Sequence, residues 1–134
     1  MLSIFPSLLT FSLIGPTLLR LTLGLFFLNF GWAKLTTERE TKGVFFESVG
    51  LRPGRIFVLI FGLLELAGGL FLVAGFLTQV VSLVFTIILI GVLFAKQKQP
   101  ESLTHESGFY LLLLVISITL LFIGPGLYSV DLPL

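Results

Sequence analysis

Residues 66–95 contain no charged side chain, and residues 1–33 contain only one, Arg20. A helix needs about 20 apolar residues to cross the hydrocarbon of a bilayer, and this chain supplies that length several times over. Over its 134 residues, 56% are hydrophobic and 11% are charged, with a mean hydropathy of +1.13. A soluble domain carries about 25% charged residues. So little polar surface cannot cover a soluble globule, so lipid is the solvent this chain is built for. The spacing predicts an all-α transmembrane four-helix bundle in one domain, 1–134, with spans near 10–33, 56–77, 79–95 and 107–123. The long uncharged run requires a tight turn near Gly75–Gln79.

Composition also excludes function classes. A net charge of +1 with no clustered basic face argues against nucleic acid. The chain has no cysteine, so it has no disulfide, thiol couple or iron–sulfur ligation of its own. His105 is the single histidine, and no metal site is expected around it. The N-terminus lacks the basic start of a cleaved signal peptide, so the first apolar run is expected to be retained. Lys34, Arg39, Lys42, Arg52 and Arg55 lie between spans one and two, and Lys96 and Lys98 between spans three and four. The positive-inside rule places both loops in the cytoplasm and both termini outside, as for a multi-pass protein of a bacterial inner membrane. Residues 43–50 of the first loop form an amphipathic stretch. It can either lie among the lipid headgroups or pack over the bundle mouth.

Two ionisable residues stand inside apolar runs, Arg20 in the first span and Glu65 in the second. A charge in hydrocarbon costs about 2.5–3.5 kcal/mol on insertion scales, so each needs a partner or a function. Counting from the expected span ends puts both near mid-membrane on antiparallel helices, and a guanidinium–carboxylate pair is the expected arrangement. Thr17, Arg20, Gly24 and Gly31 share one face of the first helix, and Gly62, Glu65 and Gly69 one face of the second, so close packing is expected there. The pair has two readings, a structural ion bridge or a polar pocket for a quinone, an anion or a proton. Asn29 is a further polar candidate. Ser82, Thr86, Ser117 and Thr119 are expected to bond backbone, and the phenylalanines to face mostly lipid.

Three motifs resemble the DoxX family. They are Arg20-Leu-Thr-Leu-Gly24 with Asn29-Phe30-Gly31-Trp32-Ala33-Lys34, Glu65-Leu66-Ala67-Gly68-Gly69, and Gly124-Pro125-Gly126 with Ser129 and Asp131. Gln79 departs from the family pattern, which often has arginine there, and Glu106 is the nearest match to an acidic residue at the start of the fourth helix. The resemblance implies a four-helix membrane protein with Gly24, Gly31, Lys34, Gly68, Gly69, Gly124, Pro125, Gly126, Ser129 and Asp131 in structural roles. It also implies an accessory subunit of a membrane-bound oxidoreductase, with a quinone as ligand and a soluble or membrane redox protein as partner. A scaffold or assembly role stays open beside it, as do catalysis and homo-oligomerisation. Nothing in the residues assigns catalysis.

Overall fold

The computed structural model describes residues 4–98 and 106–131, and His105 lies outside them. A short 3-10 helix, Pro6–Phe11, precedes five α-helices: α1 Ile14–Leu35, α2 Arg39–Ser48, α3 Gly54–Ala74, α4 Thr78–Lys98 and α5 Ser107–Ile123. The described residues form no strand, and the fold is all-α. Helices α1, α3 and α4 are long and apolar enough to cross a membrane, and α5 is a shorter apolar helix beside them. Pro16 falls in the first turn of α1, where a missing N–H costs nothing.

Glycines set the α1–α3 contact. A Cβ on Gly24 would meet the Gly69 carbonyl at 2.9 Å, and one on Gly31 would meet the Gly62 carbonyl at 2.7 Å. The two helices therefore pack antiparallel with backbone nearly against backbone. The Gly68-Gly69 pair divides its work, since Gly68 faces α4, where a Cβ would strike the Phe85 ring at 2.6 Å. Gly31→Val puts branched bulk against backbone that cannot move aside, and overpacking of this kind costs about 1–3 kcal/mol. Unfolding in detergent should show that loss for Gly31→Val and almost none for Gly91→Ala, whose Cβ would meet nothing within 4 Å. Equal stability of the two variants would remove the glycine contact as the fold's organising feature.

The turn between α3 and α4 comes at Gly75. Its left-handed φ of 73° ends α3, with Gly75 N–H donating to the Leu72 carbonyl and Phe76 N–H to that of Phe71. Helices α4 and α5 are tied in the interior by hydroxyls. Ser117 Oγ donates to the Ser82 carbonyl at 2.7 Å, and Thr86 Oγ1 bonds both that carbonyl and Ser117 Oγ. The expected backbone bonding thus holds for Thr86, Thr119 and Ser117, the last to a carbonyl of the neighbouring helix, and fails for Ser82, whose buried Oγ has no partner. Several phenylalanines depart from the lipid-facing expectation. Phe27 and Phe85 stack at 3.7 Å in the core, where Gly68 of α3 leaves room for the Phe85 ring. The amphipathic loop is resolved in favour of packing: α2 folds over the bundle mouth, with Gly43 against Gly54 and Phe46 stacked on Phe61 at 5.3 Å.

Candidate functional site

The bundle has two polar ends, one closed by α2 and one by the chain after α5. At the second, residues 124–131 fold back across the helix ends. Arg20 is 1% exposed, and it donates from Nη1 to the Pro125 carbonyl at 2.8 Å and from Nη2 to the Tyr128 carbonyl at 3.1 Å. Thr17 Oγ1 accepts from Leu127 N–H at 2.8 Å. Asp131 accepts from the amides of Leu77 and Thr78 at 2.8 and 2.7 Å, capping the start of α4, and Ser129 Oγ donates to the Asp131 carbonyl. Gly126 lets the tail approach Thr17, whose Oγ1 would lie 2.7 Å from a Cβ there. At the former family-departure position, Gln79 Nε2 donates to the Leu121 carbonyl.

Burial works to raise the Asp131 pKa, but the Thr78 and Leu77 amides and the nearby Arg20 charge outweigh it and hold the carboxyl below its ordinary range. A depressed folded pKa stabilises above the unfolded value of about 3.9 and ceases to do so as pH falls through the folded value. Asp131→Asn should therefore lower stability at pH 7, and the gap to wild type should close toward pH 3. A gap independent of pH would show that the carboxylate charge plays no part.

The expected Arg20–Glu65 pair does not form. Glu65 instead accepts from Lys34 Nζ with both oxygens, at 2.9 and 2.7 Å, and its side chain is 3% exposed. Register is one reason. The Gly24–Gly69 and Gly31–Gly62 contacts set Arg20 level with Gly75, whose added Cβ would lie 2.6 Å from Arg20 Nη1. That is about ten residues, or roughly 15 Å, past Glu65 along α3. Direction is the other. Helical side chains lean toward their own N-terminus. On antiparallel α1 and α3, Arg20 therefore leans toward the tail and Glu65 toward α2, away from each other. By the same rule Lys34 leans back into the bundle and Glu65 leans to meet it.

Around that pair lies a cavity of 310 Å³ enclosed by α1, α2, α3 and α4, with Tyr110 of α5. Phe27, Phe30, Phe45 and Val92 make its apolar wall, and Lys34, Glu65, Lys42 and Glu38 stand at its α2 end. Asn29 lines its edge and is exposed, whereas Arg20 is not part of it. Lys42 is 7% exposed, with Nζ 4.0 Å from Glu38 Oε2. Burial pulls its pKa below the ordinary lysine value, with Glu38 and Glu65 acting against that and Lys34 with it. Sequence reasoning missed Lys42 and Glu38 as site residues and took Lys34 only as a structural position. The i, i+4 spacing of Glu38 and Lys42 was the available signal.

The DoxX family model matches residues 15–97, from the start of α1 to the end of α4. This chain belongs to the DoxX family. The match covers the Lys34–Glu65 pair and most of the cavity wall, and it stops short of α5 and the tail. A curated relative, "Inner membrane protein YqjF" of Escherichia coli (strain K12), is 32% identical over 128 residues, covering 88% of this chain and 90% of its own. No solved structure matches. Within this DoxX chain, each of the two charged residues that the motifs place in the membrane finds a partner the motifs also contain, Lys34 for Glu65 and the Gly-Pro-Gly tail for the two terminal nitrogens of Arg20, whose buried Nε has no partner.

Proposed function

We propose that this DoxX chain is an accessory subunit of a membrane-bound oxidoreductase, and that its cavity holds the head of a lipophilic quinone. One observation carries the reading: a largely aromatic and aliphatic cavity inside the bundle ends in a cluster of two ammonium and two carboxylate groups. An apolar pocket with a few convergent polar groups is the form a small-molecule site takes. The chain has no cysteine for thiol or iron–sulfur electron transfer, so a partner subunit supplies the electrons. In this reading the α2 end, rich in lysine and arginine, faces the cytoplasm of a bacterial inner membrane, the compartment named for the relative YqjF.

A second reading has its own support. Lys34 and Glu65 satisfy one another so fully that a scaffold or assembly role needs no ligand. Quinone binding by the purified protein in lipid nanodiscs separates the two. A decyl-substituted benzoquinone should bind wild type, and Gly91→Phe, which fills the cavity from α4, should abolish binding while leaving the helical fold intact. Binding unaffected by Gly91→Phe removes the cavity from the mechanism. Absence of binding to wild type leaves the scaffold. The redox role is read separately, as quinone reduction by the complex isolated from its own membranes, expected to fall in the same variant.

A further inference from the structure

Lys42 stands out among the charges at the cavity. Lys34 spends two donors on Glu65. Lys42 lies 93% out of solvent and lines the cavity; among the described residues its one ion-pair contact is Glu38 at 4.0 Å, beyond hydrogen-bond reach, with the Glu65 and Lys34 charges nearby. The Lys42 ammonium is not sealed off, since the fully buried partnerless polar atoms among the described residues are Arg20 Nε, Thr78 Oγ1 and Ser82 Oγ. Its spare donors keep accessible surface at the cavity, where an acceptor can reach them.

The side walls show where an acceptor comes from. Ile87 and Gly91 of α4 line the cavity and are also exposed on the outside of the bundle, and half-buried Phe61 of α3 lines it from the other side. All three lie well inside helices long and apolar enough to cross a membrane, so a way in between α3 and α4 at their level would face lipid rather than water.

Charge then selects the head group. Lys34, Lys42, Glu38 and Glu65 sum to zero formal charge. In a low-dielectric cavity an anionic head adds an uncompensated charge, as does a cationic one. A neutral head with a carbonyl oxygen adds none and accepts from the ammonium.

We propose that Lys42 is the head-group ligand of the cavity: it donates to the carbonyl oxygen of an uncharged lipophile that enters sideways between α3 and α4 and leaves its chain in the bilayer. This rests on the cavity being a ligand site, and not on that ligand being a quinone.

A head-group series with similar apolar tails tests it in nanodiscs: 2-dodecanone, decanoate and decyltrimethylammonium, with the decyl-substituted benzoquinone as a second neutral carbonyl. Both neutral carbonyl compounds should bind more tightly than either ion. Lys42→Met, which keeps the apolar stem, should weaken them about tenfold or more, the worth of one hydrogen bond to a charged group. Lys42→Arg should restore most of the loss. A diazirine-bearing 2-dodecanone on unmodified protein should label α2 around Lys42, which needs no variant to fold. Tighter binding of either ion, an unaltered affinity in Lys42→Met, or labelling confined to the tail end overturns the inference while the cavity remains a site. No binding of any probe to wild type takes down the site reading and the inference with it.

Discussion

Replacing Lys34 with methionine will destabilise the folded protein by about 3–5 kcal/mol, the cost of stranding one member of a buried ion pair. The carboxylate that remains is almost wholly out of solvent, and Lys34 supplies both of its hydrogen bonds. Lys42 is near enough for the two charges to act on one another, but it makes no hydrogen bond to Glu65. The double variant Lys34→Met with Glu65→Met removes both charges and should recover most of the loss, because an apolar pair of similar volume is often no less stable than a buried bridge. Thermal or denaturant unfolding in detergent measures all three. A single variant as stable as wild type would mean that Glu65 is neutral or has another donor, and the electrostatic account of the cavity would fail. Ligand binding by a folded double variant then reads the pair's functional share, since a scaffold loses nothing by the change.

Arg20→Met will release the tail. Two hydrogen bonds from a buried guanidinium, each worth about 1.5–3 kcal/mol, join α1 to the carbonyls of Pro125 and Tyr128. Without them residues 124–131 retain the Thr17 and Asp131 contacts and lose their central anchor. A cysteine placed at Ser129 should become reactive toward a membrane-impermeant maleimide in Arg20→Met and stay protected in its absence. Lys at position 20 makes a single-point contact where the fork makes two, so Arg20→Lys should give intermediate labelling. The exchange Arg20→Glu with Glu65→Arg should fail to restore folding, because the two positions do not face each other. Restoration by that exchange would contradict the register set by the glycines.

Much of this architecture was legible in the residues. Lipid as solvent, the all-helical fold and the turn after Ala74 follow from charge-free runs and one well-placed glycine, since hydrocarbon admits few backbone arrangements. The glycine faces of α1 and α3 were also readable, as was the likeness to the DoxX family. The residues alone did not give the pairing of the buried charges. Counting inward from span ends misplaces register by several residues, since those ends are soft, whereas Gly24 against Gly69 and Gly31 against Gly62 fix it by steric contact.

The sequence by itself settled that Arg20 and Glu65 each require a partner, because neither charge tolerates hydrocarbon alone. Only the tertiary structure decided which partners they take. Antiparallel packing sends the two side chains to opposite ends of the bundle, where a returning tail meets one and Lys34 meets the other. It also made the cavity, because α2 must fold over the mouth before Lys42 comes near Glu65, and the amphipathic stretch at 43–50 permitted that closure without choosing it over the headgroups.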